Sequence, residues 1–269
     1  MAIKLFVTDL DGTLLRSGSP VSHGNVAAVQ RAVRAGVTVT IATGRMFRAA
    51  MPVAQQLGVD VPIITYNGAL IKRVSGEVLY QSCLPQETVR EVARFCRAQG
   101  WYVQLYSNDE LYYVEECPQS RGYEAEQQIK GHAVGWDGLL AHTEGVCKML
   151  SITSGSEETD ARTAILREHF GGTLNAVRSN ACYAELLMPG VTKATALVKL
   201  AEVLGVDISE VMAIGDAEND LPMLQAAGHA VAMGNAVPAV KAACEYETSM
   251  CEADGVAQAI DKWVIGNGD

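Results

Sequence analysis

Ile3-Lys4-Leu5-Phe6-Val7-Thr8-Asp9-Leu10-Asp11-Gly12-Thr13-Leu14 is the stretch from which the rest of the chain is read. A short apolar run with β-branched and aromatic members breaks abruptly into two aspartates, a glycine and a threonine. That is the pattern of a buried parallel strand ending in a turn. In open α/β sheets the carboxyl ends of the strands face the ligand crevice. Asp9 and Asp11 stand two positions apart, so in extended backbone both project to one side and repel each other unless a positive charge lies between them. An oxygen-only pair with no His or Cys nearby favours a hard cation that keeps its waters, and Mg²⁺ is the usual one.

Composition narrows the class. The chain has 269 residues, 49% hydrophobic and 19% charged, with a formal net charge of −10. This is ordinary for a globular enzyme and speaks against a nucleic-acid binder, which would need a basic surface. Seven scattered cysteines, odd in number and without Cys-x-x-Cys, fit reduced thiols, and five isolated histidines make a His-ligated metal improbable. No run reaches the ~18 apolar residues of a membrane span, and no basic-plus-apolar leader precedes Asp9. The expectation is a soluble cytoplasmic protein without a membrane partner; nothing in the sequence bears on its oligomeric state.

Further along, Ser22 is placed to cap a helix that stops near Gly36, and Val37–Ala42 reads as a second strand ending in Thr43-Gly44-Arg45. A hydroxyl and a glycine at such a junction let backbone approach a ligand. Arg45 either touches substrate or forms a salt bridge. A helix to Leu57, a strand over 62–65 ending in Tyr66-Asn67-Gly68 and a hairpin around Ser75-Gly76 follow. From about residue 83 to 187 the pattern turns to paired strands with helices between them, an α+β unit with an antiparallel sheet. In it His132 and His142 flank what reads as a glycine-rich loop, and Trp101, Tyr102, Tyr106, Tyr112 and Tyr113 read as sheet packing. Then Thr192 caps a helix with Lys193 in its first turn, where the dipole disfavours a cation and implies an anion nearby. Val211–Ile214 is a buried-type strand ending in Gly215-Asp216-Ala217-Glu218-Asn219-Asp220. Asp216 would complete the carboxylate set, while Asn219 or Asp220 would orient it from behind. For Asp220 an equally good reading is an acidic helix start stabilised by the dipole.

Four stretches in order, Asp9-Leu10-Asp11-Gly12-Thr13-Leu14, Ala42-Thr43-Gly44-Arg45, Lys193 and Gly215 to Asp220, resemble the signatures of the haloacid dehalogenase superfamily of phosphohydrolases. The long insertion between the second and third resembles the large α/β cap of its Cof-type subfamily (IIB). The resemblance implies a Rossmann-like α/β core with a mostly parallel sheet over residues 1–82 and 188–269, and an inserted α+β cap with an antiparallel sheet over 83–187. It implies catalysis by Asp9 and Asp11, phosphate contacts at Leu10, Thr43, Gly44, Lys193 and Asn219, and Mg²⁺ at Asp9, Asp11 and Asp216.

On that reading Asp9 attacks phosphorus to form an aspartyl-phosphate, and Asp11 protonates the leaving alkoxide and later deprotonates water. The expected activity is hydrolysis of small phosphorylated metabolites, sugar phosphates or related monoesters, with substrate choice in the cap. A hexose phosphomutase and a non-catalytic phosphometabolite sensor are the rival readings. The first is disfavoured by the spacing of Gly215 to Asp220, the second by the presence of every candidate catalytic position.

Overall fold

The computed structural model describes residues 2–16, 19–58 and 60–266. Strand β1 (Leu5–Thr8) is fully buried and lies beside β2 (Thr38–Ile41) on one side. Helix α1 (His23–Arg34) joins them, and the Ser22 hydroxyl accepts from Asn25 N at 3.1 Å as the expected cap. Helix α2 (Phe47–Leu57) leads to β3 (Pro62–Thr65), which pairs antiparallel with β4 (Leu70–Arg73); β5 (Val78–Gln81) completes that three-stranded sheet.

The middle of the chain forms α3 (Gln86–Gln99), β6 (Gln104–Ser107), β7 (Glu110–Tyr113), α4 (Pro118–Gln127), β8 (His132–Ala133), α5 (Gly135–Ala141), β9 (Val146–Ile152), α6 (Ser156–Phe170), β10 (Asn175–Asn180) and β11 (Tyr183–Leu187). The last part supplies α7 (Lys193–Leu204), β12 (Val211–Gly215), α8 (Leu221–Ala226), β13 (His229–Ala232), α9 (Pro238–Ala243), β14 (Tyr246–Glu247) and α10 (Gly255–Ala259).

The first sheet is all parallel in the order β14-β13-β12-β1-β2, and a bridge between Ala42 and Ile64 extends it toward β3. Its strands are near-continuous apolar runs because both faces are covered. The second sheet has the order β10-β11-β9-β6-β7-β8 and is antiparallel apart from the short β7–β8 pair. One face of it builds a core with α3 and α6 around Val89, Val92, Leu105, Met149, Leu166 and Leu186.

The fold is thus the α/β core and antiparallel α+β insertion that the strand patterns predict. By contacts the chain divides into one unit of Met1–Gly44, Ala50–Tyr80 and Thr192–Asp269, and another of Arg45–Ala49 and Gln81–Val191. The second unit takes in residues 45–49 because the Asp109 carboxylate, at the β6–β7 turn, accepts from Phe47 N (3.0 Å) and Arg48 N (3.4 Å), and Arg48 pairs with Glu110.

One local expectation needs correction. The supposed glycine-rich loop between His132 and His142 holds β8 and α5. Gly135 and Gly138 hide that helix, each lowering helix propensity by about 1 kcal/mol, yet burial of Leu139 holds it. His142 follows α5 as a loop residue, its ring stacked on Tyr112 at 4.0 Å. Of the aromatic residues, Tyr106, Tyr112 and Tyr113 do lie in the sheet, with Tyr106 and Tyr113 buried, whereas Trp101 and Tyr102 precede β6, the Trp101 ring meeting Phe95 edge-on at 5.7 Å. Among the described residues no helix is long and apolar enough to cross a membrane.

Gly68 shows how tightly the turn after β3 meets α7. At φ +106 an added Cβ would lie 2.2 Å from the Thr192 carbonyl oxygen. Gly76 has φ +107 and open space around it. Urea denaturation should therefore show Gly76→Ala losing about 1 kcal/mol from backbone strain alone. Gly68→Ala should lose roughly 2–5 kcal/mol, since the collision with backbone adds to the same strain. Equal losses would mean that the contact with Thr192 yields freely.

Candidate active site

Residue 9 continues the ladder of β1, its N–H donating to the Ile214 carbonyl at 3.1 Å. The Asp9 carboxylate therefore emerges at the C-terminal edge of the parallel sheet beside the end of β12, and it is buried. The turn after β12 brings Asp216 and Asp220 to the same edge. One carboxylate oxygen from each of Asp9, Asp216 and Asp220 lies within 4.8 Å of the others.

Lys193, the first residue of α7, is buried with its Nζ 2.6 Å from Asp9 Oδ1 and 2.6 Å from Asp220 Oδ1. The anion that its first-turn position implied is a pair of carboxylates. Thr192 caps this helix, its hydroxyl accepting from Thr195 N at 3.1 Å, which fixes the turn from which the lysine projects.

Each carboxylate is further held. Asp220 Oδ2 accepts from the backbone N–H groups of Asp216 and Ala217, both at 3.1 Å. Asp216 Oδ1 accepts from the Thr13 hydroxyl at 2.7 Å. Oδ2 of Asp9 and Oδ2 of Asp216 carry none of these bonds. Close approach is possible because glycine lies behind two of the three: a Cβ on Gly12 would sit 2.5 Å from Asp216 Oδ2, and one on Gly215 2.7 Å from Asp220. Asn235 ties the first loop down, donating to the Gly12 carbonyl and accepting from Cys251 N, both at 2.8 Å.

Electrostatics follow from three carboxylates facing one ammonium. Burial pushes the Asp9 carboxyl well above the usual carboxylate range; Asp220 adds to the shift, Lys193 opposes it, and Asp216 and Asp11 add smaller pushes. Asp216 is pushed up to about 6 from 3.8, by burial first, with the Thr13 hydrogen bond opposing and Asp220 adding. Burial works against the Lys193 charge, but Asp220 and Asp9 outweigh it and hold the ammonium above the ordinary lysine range. With all three carboxylates ionised, two negative charges would exceed what Lys193 neutralises, and a divalent cation matches that excess. The all-oxygen donor set suits a hard ion, and the oxygen separations suit one coordination sphere.

The remaining candidates are distributed as follows. Asp11 is exposed and outside the close trio, although its charge is felt at Asp9 and Asp216. Asp220 takes the third place in the trio and also holds Lys193. Thr43 is buried at the end of β2, with its N–H on the Ile64 carbonyl at 2.9 Å and its carbonyl receiving Asn67 N at 3.0 Å. Gly44 lies against the Asn67 amide, which would be 3.1 Å from an added Cβ, and Asn219 Nδ2 donates to Asn67 Oδ1 at 3.2 Å. Asn67, in the left-handed region at φ 53, thus links the Thr43-Gly44 turn to Asn219. Leu10 is buried in the loop between the two aspartates. Arg45 belongs to the second unit, where its charge acts on the Tyr123 hydroxyl.

Sequence reasoning assigned no role to Thr13, Asn67 or Asn235. Asn67 and the stretch Met233-Gly234-Asn235-Ala236 resemble the family's segments at those places, and Asn67, an asparagine before glycine at a strand end, also fits a left-handed turn.

The model of the haloacid dehalogenase-like hydrolases matches residues 6–260. The 5-amino-6-(5-phospho-D-ribitylamino)uracil phosphatase YcsE of Bacillus subtilis is 31% identical, over 98% of this chain and 96% of its own. Among solved structures, a haloacid dehalogenase-like hydrolase from Bacteroides thetaiotaomicron superposes with a TM-score of 0.86 at 33% identity, covering 96% of this chain and 98% of that one. The subclass IIB sugar phosphatase BT4131 gives a TM-score of 0.83 at 26% identity, covering 96% and 98%.

The chain belongs to the haloacid dehalogenase-like hydrolases, in the Cof-type subfamily that its signatures resemble. Within that family it is an enzyme of the phosphatase kind.

The raised Asp216 carboxyl has a consequence for stability. Below about 3.8 this group is protonated both folded and unfolded; as pH rises through about 6 it ionises within the fold, and the stabilisation from its retained proton is lost. A hard divalent cation at the trio would favour the ionised form of Asp216. Scanning calorimetry should therefore find a larger cation-induced rise in Tm at about pH 7.5 than at about pH 5. A rise independent of pH would place the bound cation away from Asp216.

Proposed function

We propose that the protein is a Mg²⁺-dependent phosphatase of small phosphorylated metabolites that works through an aspartyl-phosphate on Asp9. The observation that carries this reading is the buried Lys193 ammonium on Asp9 Oδ1, at 2.6 Å. It keeps Asp9 from rotating and commits Oδ2 to attack. Mg²⁺ would be held by Asp9 and Asp216, with Asp220 in the same cluster and Asp11 at its exposed side. When bound, the ion neutralises charge on the trio and on the phosphoryl oxygens.

In the first half-reaction Asp9 Oδ2 bonds to phosphorus as the bond to the ester oxygen breaks, and Asp11 gives that oxygen a proton. In the second, Asp11 takes a proton from water as the water oxygen bonds to phosphorus, and Asp9 is released with inorganic phosphate. Lys193, the Thr43 hydroxyl, the Leu10 and Gly44 amides and Asn219 supply positive ends of dipoles or charge to the transferring oxygens.

Asp11 is suited to the proton steps by its position: two residues from the nucleophile, yet exposed, so that it exchanges protons with water. Asp220, with one oxygen on Lys193 and the other on two backbone N–H groups, is a positioning residue.

The likeness to a ribitylamino-uracil phosphatase and to a sugar phosphatase favours esters of sugars or sugar alcohols. The net charge of −10 argues against a nucleic-acid substrate. We assign substrate choice to the segment Gln81–Val191, because the groups given chemical roles all belong to the other unit. A reducing cytoplasm suits the seven thiols, none of them in a disulfide.

The test is phosphate release from a panel of phosphorylated metabolites and p-nitrophenyl phosphate, with Mg²⁺ and with excess chelator. Turnover is expected with Mg²⁺ only, and Asp9→Asn should reduce it to the blank while circular dichroism stays native. Near-normal release by that variant would rule out the covalent route.

Asp11→Asn should lower kcat on alkyl phosphates by about 10²–10⁴ and on aryl phosphates much less, because a phenolate leaves without a proton. Equal losses on the two classes would mean that Asp11 serves in cation binding alone.

A further inference from the structure

Segment 81–84, through which the chain enters the second unit, runs beside β9. Leu84 N donates to the Val146 carbonyl at 2.8 Å, and Gln81 Nε2 donates to Cys147 Sγ at 3.4 Å. Between these anchors Cys83 meets Cys147, and the two thiols hydrogen-bond to one another. Cys83 is half-buried, so a reagent in water reaches it, whereas Cys147 is 3% exposed and is not reached. We propose that Cys83 and Cys147 form a redox-active dithiol that closes to a disulfide by exchange with a small-molecule disulfide such as oxidised glutathione, with Cys83 attacking and Cys147 resolving.

The local electrostatics assign the two roles. The hydrogen bond from Cys147 lowers the Cys83 thiol to about 7 against the opposing effect of burial. The same bond, then burial, pushes Cys147 well up, so it keeps its proton until Cys83 has reacted. Elsewhere burial pushes Cys96 up to about 12 and Cys244 and Cys251 to about 11, which leaves them inert.

Cys83 is therefore both the more acidic and the more exposed thiol of the two.

The exchange balances. The Cys83 thiolate bonds to one sulfur of oxidised glutathione and expels the other as thiolate. Cys147 then gives its proton to that thiolate and bonds to Cys83 Sγ, expelling the second glutathione. The protein loses two protons and two electrons, and the glutathione disulfide becomes two thiols, the second taking up from water the proton that Cys83 had released.

The experiment is incubation of the full-length protein with oxidised glutathione near pH 7, followed by non-reducing digestion and mass spectrometry. The expected product is a Cys83–Cys147 linked peptide pair with a net loss of two hydrogens, restored by dithiothreitol, forming at a rate that climbs as pH passes about 7. C147S should stall with one glutathione on Cys83, and C83S should give neither product. Linkage between other cysteines, a wild-type adduct that never closes, or C83S reacting as fast as the wild type would each overturn the proposal. The wild-type peptide map decides the matter even if a variant fails to fold.

Discussion

The ammonium of Lys193, buried between Asp9 and Asp220, is the interaction on which the candidate site depends. An ion of that size taken out of water loses several kcal/mol of hydration, which is recovered only with close opposite charge and full hydrogen bonding. Two carboxylates at 2.6 Å supply both. The helix dipole at the first turn of α7 opposes a cation, so without those carboxylates the position would be among the worst in the protein for a lysine. The cluster joins residues 9, 193 and 220, from three separate elements, and removal of Lys193 would leave two carboxylates facing each other in a dry setting. The same imbalance, two negative charges beyond what one lysine neutralises, makes the trio receptive to a divalent cation.

Sheet topology is what lets these groups meet. Because β12, β1 and β2 are parallel neighbours, their C-terminal ends open on one edge, and the loops following them deliver Asp9, Asp216 and Thr43 there. Small residues then decide how near the charges come. Gly12 and Gly215 leave room for the Asp216 and Asp220 carboxylates, and any side chain at either position would force them outward. Thr13 and Asn235 hold the first loop in place from behind.

The second unit handles buried polarity in another way. On its sheet Lys148, buried, pairs with Glu185 at 3.0 Å, and Ser179 donates to the same carboxylate at 2.8 Å. Tyr113 and Gly131 N both donate to Glu124 at 2.8 Å. Such a satisfied network stabilises little over an apolar core, but it penalises any strand register that would leave one partner alone. The opposite face of the sheet is conventional apolar packing on α3 and α6. Here burial, and not local preference, fixes α5 despite its glycines.

Much of this was legible in the sequence because the signals are local. The break from apolar run to Asp9 and Asp11, the caps at Ser22 and Thr192, the misplaced charge of Lys193 at a helix start, and the change from helix-linked strands to hairpins each lie within a few residues. They determined the α/β core, the antiparallel insertion and most of the candidate site residues. Only the tertiary structure decided that Asp220 holds Lys193 while closing its own turn, where local reading left a dipole-stabilised helix start as good an account. It alone showed that Asn67 links Thr43-Gly44 to Asn219, that Thr13 holds Asp216, and that Cys83 lies against Cys147. Each of these is a contact between residues far apart in the chain, set by strand register and helix packing to within an ångström. A hydrogen bond or a shared charge at that range leaves no periodicity, spacing or composition behind in the sequence from which it could be read.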